Sequence, residues 1–409
     1  MRYDTYELSA VRCIGKFQHM TYDPKYSTTR MKMTDFVLPV VHHRDNPFRI
    51  VQTICDDIGP RPATSIAEAQ TASYMAKYLR RSGLTVWIDP FMAPIPSGGS
   101  ALLIALMATA VIVLWPTHQM YAMTATIMCV FVSIISNSAY FAWLTIRRAE
   151  SQNIIATRTS VNPPTRRVVL LTPLDTHRPA DPLFGREVRV GASIALLTLV
   201  IIEYLAPLPL PDQVRLAIMA IPTLYLIIAA STELWSYTQP YSIGAVSYAS
   251  AIASIMTAVE DVGRLQHTEI WVVGVGSGTT GAGVRHLLKH YQFDPDATFF
   301  IGVEGIGRGA LSYVIRDYKN RFQTADAVLI QRVIEATTGV RAEPSIAGFT
   351  TVIDPILKAK RRAISIATLD QKGRVPLQGS AKDTPAAVNP ALLEQTTRLI
   401  ANTMRNLEH

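Results

Sequence analysis

Two kinds of pattern alternate along this chain. Ser65-Ile66-Ala67-Glu68 has the form of a capping box and predicts a helix running to about Arg81. Short runs rich in β-branched and aliphatic residues follow at 84–88, 153–157 and 168–172, and each predicts a strand. Further on, the pattern predicts a helix over about 246–262, a strand over 270–275, a Gly-rich turn and a helix through His290. Strands over 298–303 and 363–369 and a last amphipathic helix over 391–404 complete the set. Alternation of this kind predicts an α/β fold, with a mostly parallel mixed sheet covered by helices on both faces.

A different pattern interrupts this one. Four apolar stretches cover 101–115, 120–146, 190–206 and 216–231, and the first two carry no charged side chain. The turn Pro116-Thr117-His118-Gln119 joins the first pair, and Pro207-Leu208-Pro209-Leu210-Pro211 follows the third. With their small and polar flanks, each approaches the roughly 20 residues a helix needs to span hydrocarbon. Buried core helices of a large soluble protein are the alternative, but paired apolar segments with tight turns favour two transmembrane hairpins, four spans in all. The chain then divides into an N-terminal arm (1–46), a soluble part (47–96), a first hairpin (97–146), a second soluble part (147–189), a second hairpin (190–232) and a third soluble part (233–409). Each hairpin returns the chain to the side it left, so the three soluble parts can form one domain.

Arg147, Arg148, Arg186 and Arg189 flank the spans on the domain side, against Arg215 alone by the opposite loops, so the domain is expected to be cytoplasmic. No apolar signal segment is read before the first span. Small and hydroxyl residues, Ser133, Ser136, Ser138, Ala192, Ser193 and Ala195, would let the spans approach as one bundle. Glu203 is the acidic residue well inside a span, and it lies about a turn from its helix end, within reach of the interface.

Composition agrees with this picture. The 409 residues are 49% hydrophobic and 17% charged, more apolar than an ordinary soluble protein. Cys13, Cys55 and Cys129 are an odd count with one inside a span, which makes no disulfide framework. A net charge of +8 suits a basic surface beside anionic lipid. No interleaving of aromatic and basic residues points to nucleic acid.

The residues outside the hairpins resemble a family. Ile58-Gly59-Pro60-Arg61-Pro62, the capped helix and Gly83-Leu84-Thr85-Val86 look like the opening of the di-zinc aminopeptidases, peptidase family M twenty-eight, which also includes the glutaminyl cyclases. Residues 168–175 resemble the strand carrying that family's His-x-Asp motif, and Gly244-Ala245-Val246-Ser247 its Gly-Ala-x-Asp motif. Residues 271–285 resemble its strand and Glu-Glu turn, Glu304-Gly305-Ile306-Gly307-Arg308 the strand end bearing its next metal-binding Asp, and Lys382-Asp383-Thr384-Pro385 the stretch after its last metal-binding His. The matches come in the right order and cover nearly everything outside the hairpins and the arm.

At the reactive positions the resemblance implies a degenerate site. A two-metal hydrolase needs clustered His and carboxylate ligands around ions about 3.5–4 Å apart, with a carboxylate as base. The family's first metal His corresponds to Pro173, its bridging Asp to Ser247, its Glu-Glu pair to Ser277 and Gly278, and its last His to Gly379. Glu304, in place of an Asp, and Asp175, whose implied role is to orient, keep a carboxylate. No metal or other cofactor is therefore expected. Asp175 and Ser277 are left as vestiges of the catalytic positions, and Pro173, Ser247, Gly278, Glu304 and Gly379 of the metal positions.

Other chemistry is open to the same residues. His286 and His290 are four apart on a helix, but Leu-Leu-Lys between them favours a solvated face over a zinc site. Asp175, His177 and Asp181 cluster before the second hairpin, as a juxtamembrane polar loop would. Gly276-Ser277-Gly278-Thr279-Thr280-Gly281 is a complete G-x-G-x-x-G between strand and helix, with Glu304 ending the next strand, where a dinucleotide fold places its ribose-binding acid. Tight-turn glycines without a ligand are the other reading of the same turn.

The expected function is that of a membrane-embedded pseudopeptidase that binds or scaffolds, not an enzyme, with the lipid bilayer and a protein partner or second copy as its partners. An active membrane metallo-aminopeptidase with a non-standard metal site is one alternative. A dinucleotide- or phosphate-binding membrane protein using Gly276, Gly278, Gly281 and Glu304 is the other. The family's early strands run antiparallel, which implies that the strands ending near Ile88 and Thr172 finish at one edge of the sheet. Both hairpins would leave from there, beside the cleft.

Overall fold

The computed structural model describes residues 46–95, 98–135, 147–178, 186–206, 209–317 and 324–408. The N-terminal arm, Asp181, Ser136 and Ser138 lie outside them.

One eight-stranded mixed sheet organises the domain, in the order β1-β2-β4-β3-β5-β8-β6-β7. The strands are β1 (Thr85–Pro94), β2 (Arg148–Arg158), β3 (Arg166–Pro173), β4 (Thr268–Val275), β5 (Thr298–Val303), β6 (Ala310–Asp317), β7 (Glu343–Ala347) and β8 (Ala363–Leu369). Parallel pairing holds the centre, β4 to β3, β3 to β5 and β5 to β8, while β2 is antiparallel to both β1 and β4. Strands β3, β5 and β8 are apolar almost throughout because both of their faces are covered. β6 and β7 have no counterpart among the expected strands. The apolar run of β6 is broken by Ser312 and Arg316 although 311–314 are buried, and β7 is a five-residue edge strand with exposed positions, so neither reads as a continuous apolar run.

Helices α1 (Pro47–Thr53), α2 (Ile66–Arg81), α7 (Ser250–Val262), α8 (Ala282–His290), α9 (Ala327–Ala336), α10 (Asp354–Lys358) and α11 (Pro390–Asn406) cover the sheet. The larger core layer packs α1, α2, α7, α9 and α11 on one face, and the smaller layer packs α8 and α10 on the other. Ser65 caps α2 by accepting from the Glu68 N–H at 3.2 Å. Glu68 does not close the box on Ser65, because its Oε2 accepts from the Thr64 N–H at 2.8 Å and its other oxygen reaches into the sheet.

Four more helices stand apart from the sheet: α3 (Gly99–Leu114), α4 (Gln119–Ile135), α5 (Arg186–Leu205) and α6 (Asp212–Ser236). They form a ring in which α3 packs on α4 and α6, and α5 on α4 and α6. Buried positions repeat at intervals of three and four, at Ala101, Ile104, Ala108, Val111 and Trp115 on α3 and at Ser193, Leu196, Val200 and Glu203 on α5. That seam is the knobs-into-holes spacing of a left-handed bundle, and its small residues let the backbones approach. The outward faces are apolar as well, with Leu106, Val113, Met120, Phe131, Ile194, Ile221, Leu224 and Ile228 all exposed.

Two of these helices, α5 and α6, are long and apolar enough to cross a membrane. The expectation of four spans is corrected to that extent. Among the described residues α3 and α4 have 16 and 17 residues, and at about 1.5 Å per residue they reach only about 24–26 Å. Glu203 lies in the last turn of α5, where it is buried and bonded to Arg215 of α6 at 2.5 Å. Near the other end, Arg189 of α5 pairs with Glu233 of α6.

β1 and β3 both run parallel to β4, so their C-terminal ends finish at the same side of the sheet, as expected. β1 leads from there into α3. Arg178, shortly after β3, donates to the Tyr237 carbonyl at the foot of α6 at 2.8 Å and lies over the Tyr241 ring at 4.3 Å. The bundle therefore stands directly beside the C-terminal ends of the central strands.

Candidate functional site

The C-terminal ends of parallel strands gather Asp175, Ser277, Gly278 and Glu304, with Ser247 brought in by a π-helical turn (Ala245–Ala249) ahead of α7. The Gly305 N–H donates to the Ser247 carbonyl at 2.8 Å, which ties that turn to the end of β5. The sequence-predicted positions thus lie together. Their chemistry is turned inward.

The Gly-rich turn is an anion-binding nest occupied by the protein's own carboxylates. The Gly278 N–H donates to Asp175 Oδ1 at 2.7 Å, and the Thr279 N–H and hydroxyl donate to the same carboxylate. The Ser277 N–H donates to Glu68 Oε1, and the Gly276 N–H to Asn153 Oδ1 at 3.1 Å. Gly281 N–H closes back on the Gly278 carbonyl at 2.8 Å. These are the amides a nucleotide phosphate would need. Moreover, β3 lies between β4 and β5, so Glu304 does not end the strand adjacent to the turn as a dinucleotide fold requires. The glycines have steric reasons instead: a side-chain carbon on Gly276 would lie 2.2 Å from the Gln152 carbonyl oxygen, and Gly281 has a φ of +68°.

Burial sets the electrostatics. Asp175 is fully buried, and loss of solvent pushes its carboxyl up to about 6 against the pull of the Thr279 and Gly278 donors. Glu68 is pushed up to about 8, first by burial and then by the negative charge of Asp175. Asp383 is raised by burial too, although it accepts from the Val246 N–H at 2.6 Å and the Ser247 hydroxyl at 2.5 Å.

Arg61 supplies the positive charge. Its guanidinium is fully buried and donates to the carbonyls of Leu174, Gly59 and Gly244 at 3.1, 2.8 and 3.3 Å, stapling the opening loop to β3 and the π turn. Burial lowers its proton affinity, with Asp383 and Asp175 among the charges that restore it. Gly244 makes room, since a side-chain carbon there would lie 2.5 Å from Thr176 Cγ2.

Above this layer, Tyr248 is buried, stacked on His177 at 5.6 Å between ring centroids and bonded to its Nδ1. Gln378 donates to the Tyr248 hydroxyl at 2.8 Å. Burial pushes the His177 imidazole down to about 4, so it is neutral at ordinary pH.

The resemblance implies two zinc ions, and the residues present do not fit them. Pro173 has no donor, Gly278 and Gly379 have no side chain, the Ser247 hydroxyl is spent on Asp383, and Glu304 Oε1 accepts from the Val352 N–H at 2.8 Å. Among the described residues no three His, Cys, Asp or Glu side chains gather as a metal needs. The Ser277 hydroxyl is buried without a partner, and its backbone is left-handed at a φ of +44°. His286 and His290 stack on each other at 4.2 Å, and His286 binds Asp89 at 3.1 Å. Glu68, Arg61, Tyr248 and Asp383 were not singled out in the sequence as site residues. Glu68 read as a helix cap and Asp383 only as part of a flanking stretch.

The fold has solved counterparts. The zinc aminopeptidase of Bacillus subtilis superposes with a TM-score of 0.56 at 11% identity, over 88% of this chain and 93% of that one. An aminopeptidase from Aneurinibacillus sp. strain AM-1 does so with a TM-score of 0.52 at 11% identity, over 88% and 92%. The glutaminyl cyclase of Porphyromonas gingivalis gives 0.50 at 12% identity, over 89% and 96%. The chain matches no family model and no curated protein. It has the zinc-exopeptidase-like fold, and at such identity the likeness is one of fold.

Proposed function

We propose that this protein is a membrane-embedded pseudopeptidase, an aminopeptidase-like domain that binds or scaffolds a partner and is held at the bilayer by its helical bundle. The carrying observation is that the turn amides and the Ser247 hydroxyl, which stand where a hydrolase would hold metal, water and substrate, are committed to Asp175, Glu68 and Asp383. A peptide carbonyl entering there meets no metal ligand set, and the turn amides are already engaged. Embedding is supported by the bundle's outward faces: a core helix hides its apolar residues, whereas α5 and α6 are only 28% buried over their apolar windows. In this reading α5 and α6 cross the bilayer with α3 and α4 packed against them, and the domain faces the cytoplasm.

Metal analysis of the detergent-purified chain, alongside hydrolysis of aminoacyl substrates, tests the pseudopeptidase reading. The expected result is no stoichiometric zinc and no turnover. Two metals per chain, or chelator-sensitive hydrolysis, would favour an active metallo-aminopeptidase and overturn it.

A further inference from the structure

A second concave feature lies away from the strand-end site, between the edge strand β1 and helix α8. It is a groove of about 180 Å³ lined by Phe91, Met92, Pro94, Arg148, Arg285 and His286, with Ala282 at its floor. Its chemistry is two-sided. Met92 is 50% exposed and Phe91 stacks on His286 at 4.7 Å, so one wall is apolar. The other carries two guanidinium groups.

Neither Arg148 nor Arg285 has an acidic partner within ion-pair distance among the described residues. Arg285 donates only to the Thr280 carbonyl, at 3.1 Å. The acids nearby are already engaged: Asp354 by Lys358 at 2.6 Å and Asp89 by His286 at 3.1 Å. Glu150, two residues along β2 from Arg148, is exposed and lies outside the lining. Arginine forks of this kind suit a phosphate bound through two oxygens.

Position narrows the ligand. Pro94 pairs with Arg148 where β1 meets β2, and the Ile95 N–H donates to the Arg147 carbonyl at 2.9 Å. α3 starts at Gly99, five residues after Pro94 and therefore at most about 18 Å away. Its exposed Leu102, Leu103 and Leu106 follow directly. A charged groove thus opens at the foot of an apolar helix face.

We propose that this groove seats the head-group phosphate of an anionic phospholipid between Arg148 and Arg285, with the glycerol against Met92 and Pro94 and the acyl chains along α3. The proposal rests on the membrane reading given above. The phosphate of a lipid in the adjacent leaflet has its chains already placed against Leu102 and Leu106, whereas a free phosphate gains nothing from the apolar wall. A lipid bound there would also restrain the domain's tilt on the membrane, because the groove lies where β1 leads into α3.

The test reconstitutes the full chain into nanodiscs of phosphatidylcholine alone or with one-third phosphatidylglycerol and follows thermal unfolding. The wild type is expected to melt higher in the anionic discs, and R148Q/R285Q to lose most of that difference. R341Q is the charge-matched control for R148Q alone, because it removes one arginine that is 90% exposed and precedes β7 at the far edge of the sheet. It is expected to keep the difference. R148Q alone, at an exposed position, guards against misfolding and should lose part of the effect. Inorganic phosphate added to phosphatidylcholine discs is expected to change nothing. Equal melting in both lipids, retention of the difference in R148Q/R285Q, an equal loss in R341Q, or a matching shift with inorganic phosphate would each overturn the lipid site while leaving the membrane reading intact. A wild type that stays in the aqueous phase without detergent would overturn both.

Discussion

A side-chain carbon placed on Gly278 would lie 2.8 Å from Pro173 Cβ. The two positions where the resemblance implies a metal-binding His and one of its two glutamates are therefore in contact, and Pro173 excludes a side chain at 278. A side chain placed at 278 alone therefore meets a steric block in the packing of β3 against the turn.

That contact predicts a coupled pair. Gly278→Ala is expected to destabilise the protein by about 1–3 kcal/mol through overpacking. In a Pro173→Gly background the same change should cost less, since the nearest atom it meets, Pro173 Cβ at 2.8 Å, is then gone and the backbone Cα at 3.0 Å remains. A double-mutant cycle on thermal unfolding measures the interaction. Additive effects would show that the turn yields freely and that the contact is not what keeps residue 278 small.

The occupied nest predicts a ligand response that appears only when its internal anion is removed. A dinucleotide or inorganic phosphate should leave the melting temperature of the wild type unchanged, because Asp175 already holds the Gly278 and Thr279 amides. Asp175→Ala frees them ahead of α8, where an external anion is favoured. Phosphate at about ten times its Kd should then stabilise that variant by about 1.4 kcal/mol. A saturable shift in the wild type that Gly278→Asp abolishes would instead support the nucleotide reading.

Glu68 predicts the alkaline limb of the stability profile. Its carboxyl is pushed up to about 8 and that of Asp175 to about 6, so the folded state holds protons that the unfolded chain releases. Their contribution is complete below the ordinary carboxylate range and is lost as pH rises through the folded values. His177 has the opposite sign: with its ordinary value of 6.5 pushed down to about 4, its contribution is complete above 6.5 and lost as pH falls. Between about pH 6.5 and 8, Glu68 is left as the main titrating group of the site. Stability should fall there with a slope approaching 1.4 kcal/mol per pH unit at most, about one proton's worth. Glu68→Gln is expected to flatten that limb. An unchanged slope in the variant would remove Glu68 as its source.

What the sequence by itself determined were the features carried by local pattern. The strands 298–303 and 363–369 were legible to the residue, because central parallel strands covered on both faces must be continuously apolar. The apolar helices were legible as long apolar runs, as was the lack of a side-chain ligand at Pro173, Gly278 and Gly379, since a proline or a glycine offers none wherever the chain places it. Only the tertiary structure decided what holds the amides of the turn. Glu68 lies 209 residues from the Ser277 amide it holds, and Asp383 lies 136 residues from Ser247. In the sequence Glu68 is indistinguishable from a helix cap, and the G-x-G-x-x-G turn from a phosphate loop. Which anion a nest of amides holds depends on the carboxylates that folding buries beside it. A buried carboxylate must find donors, and here it found the ones an external ligand would have used.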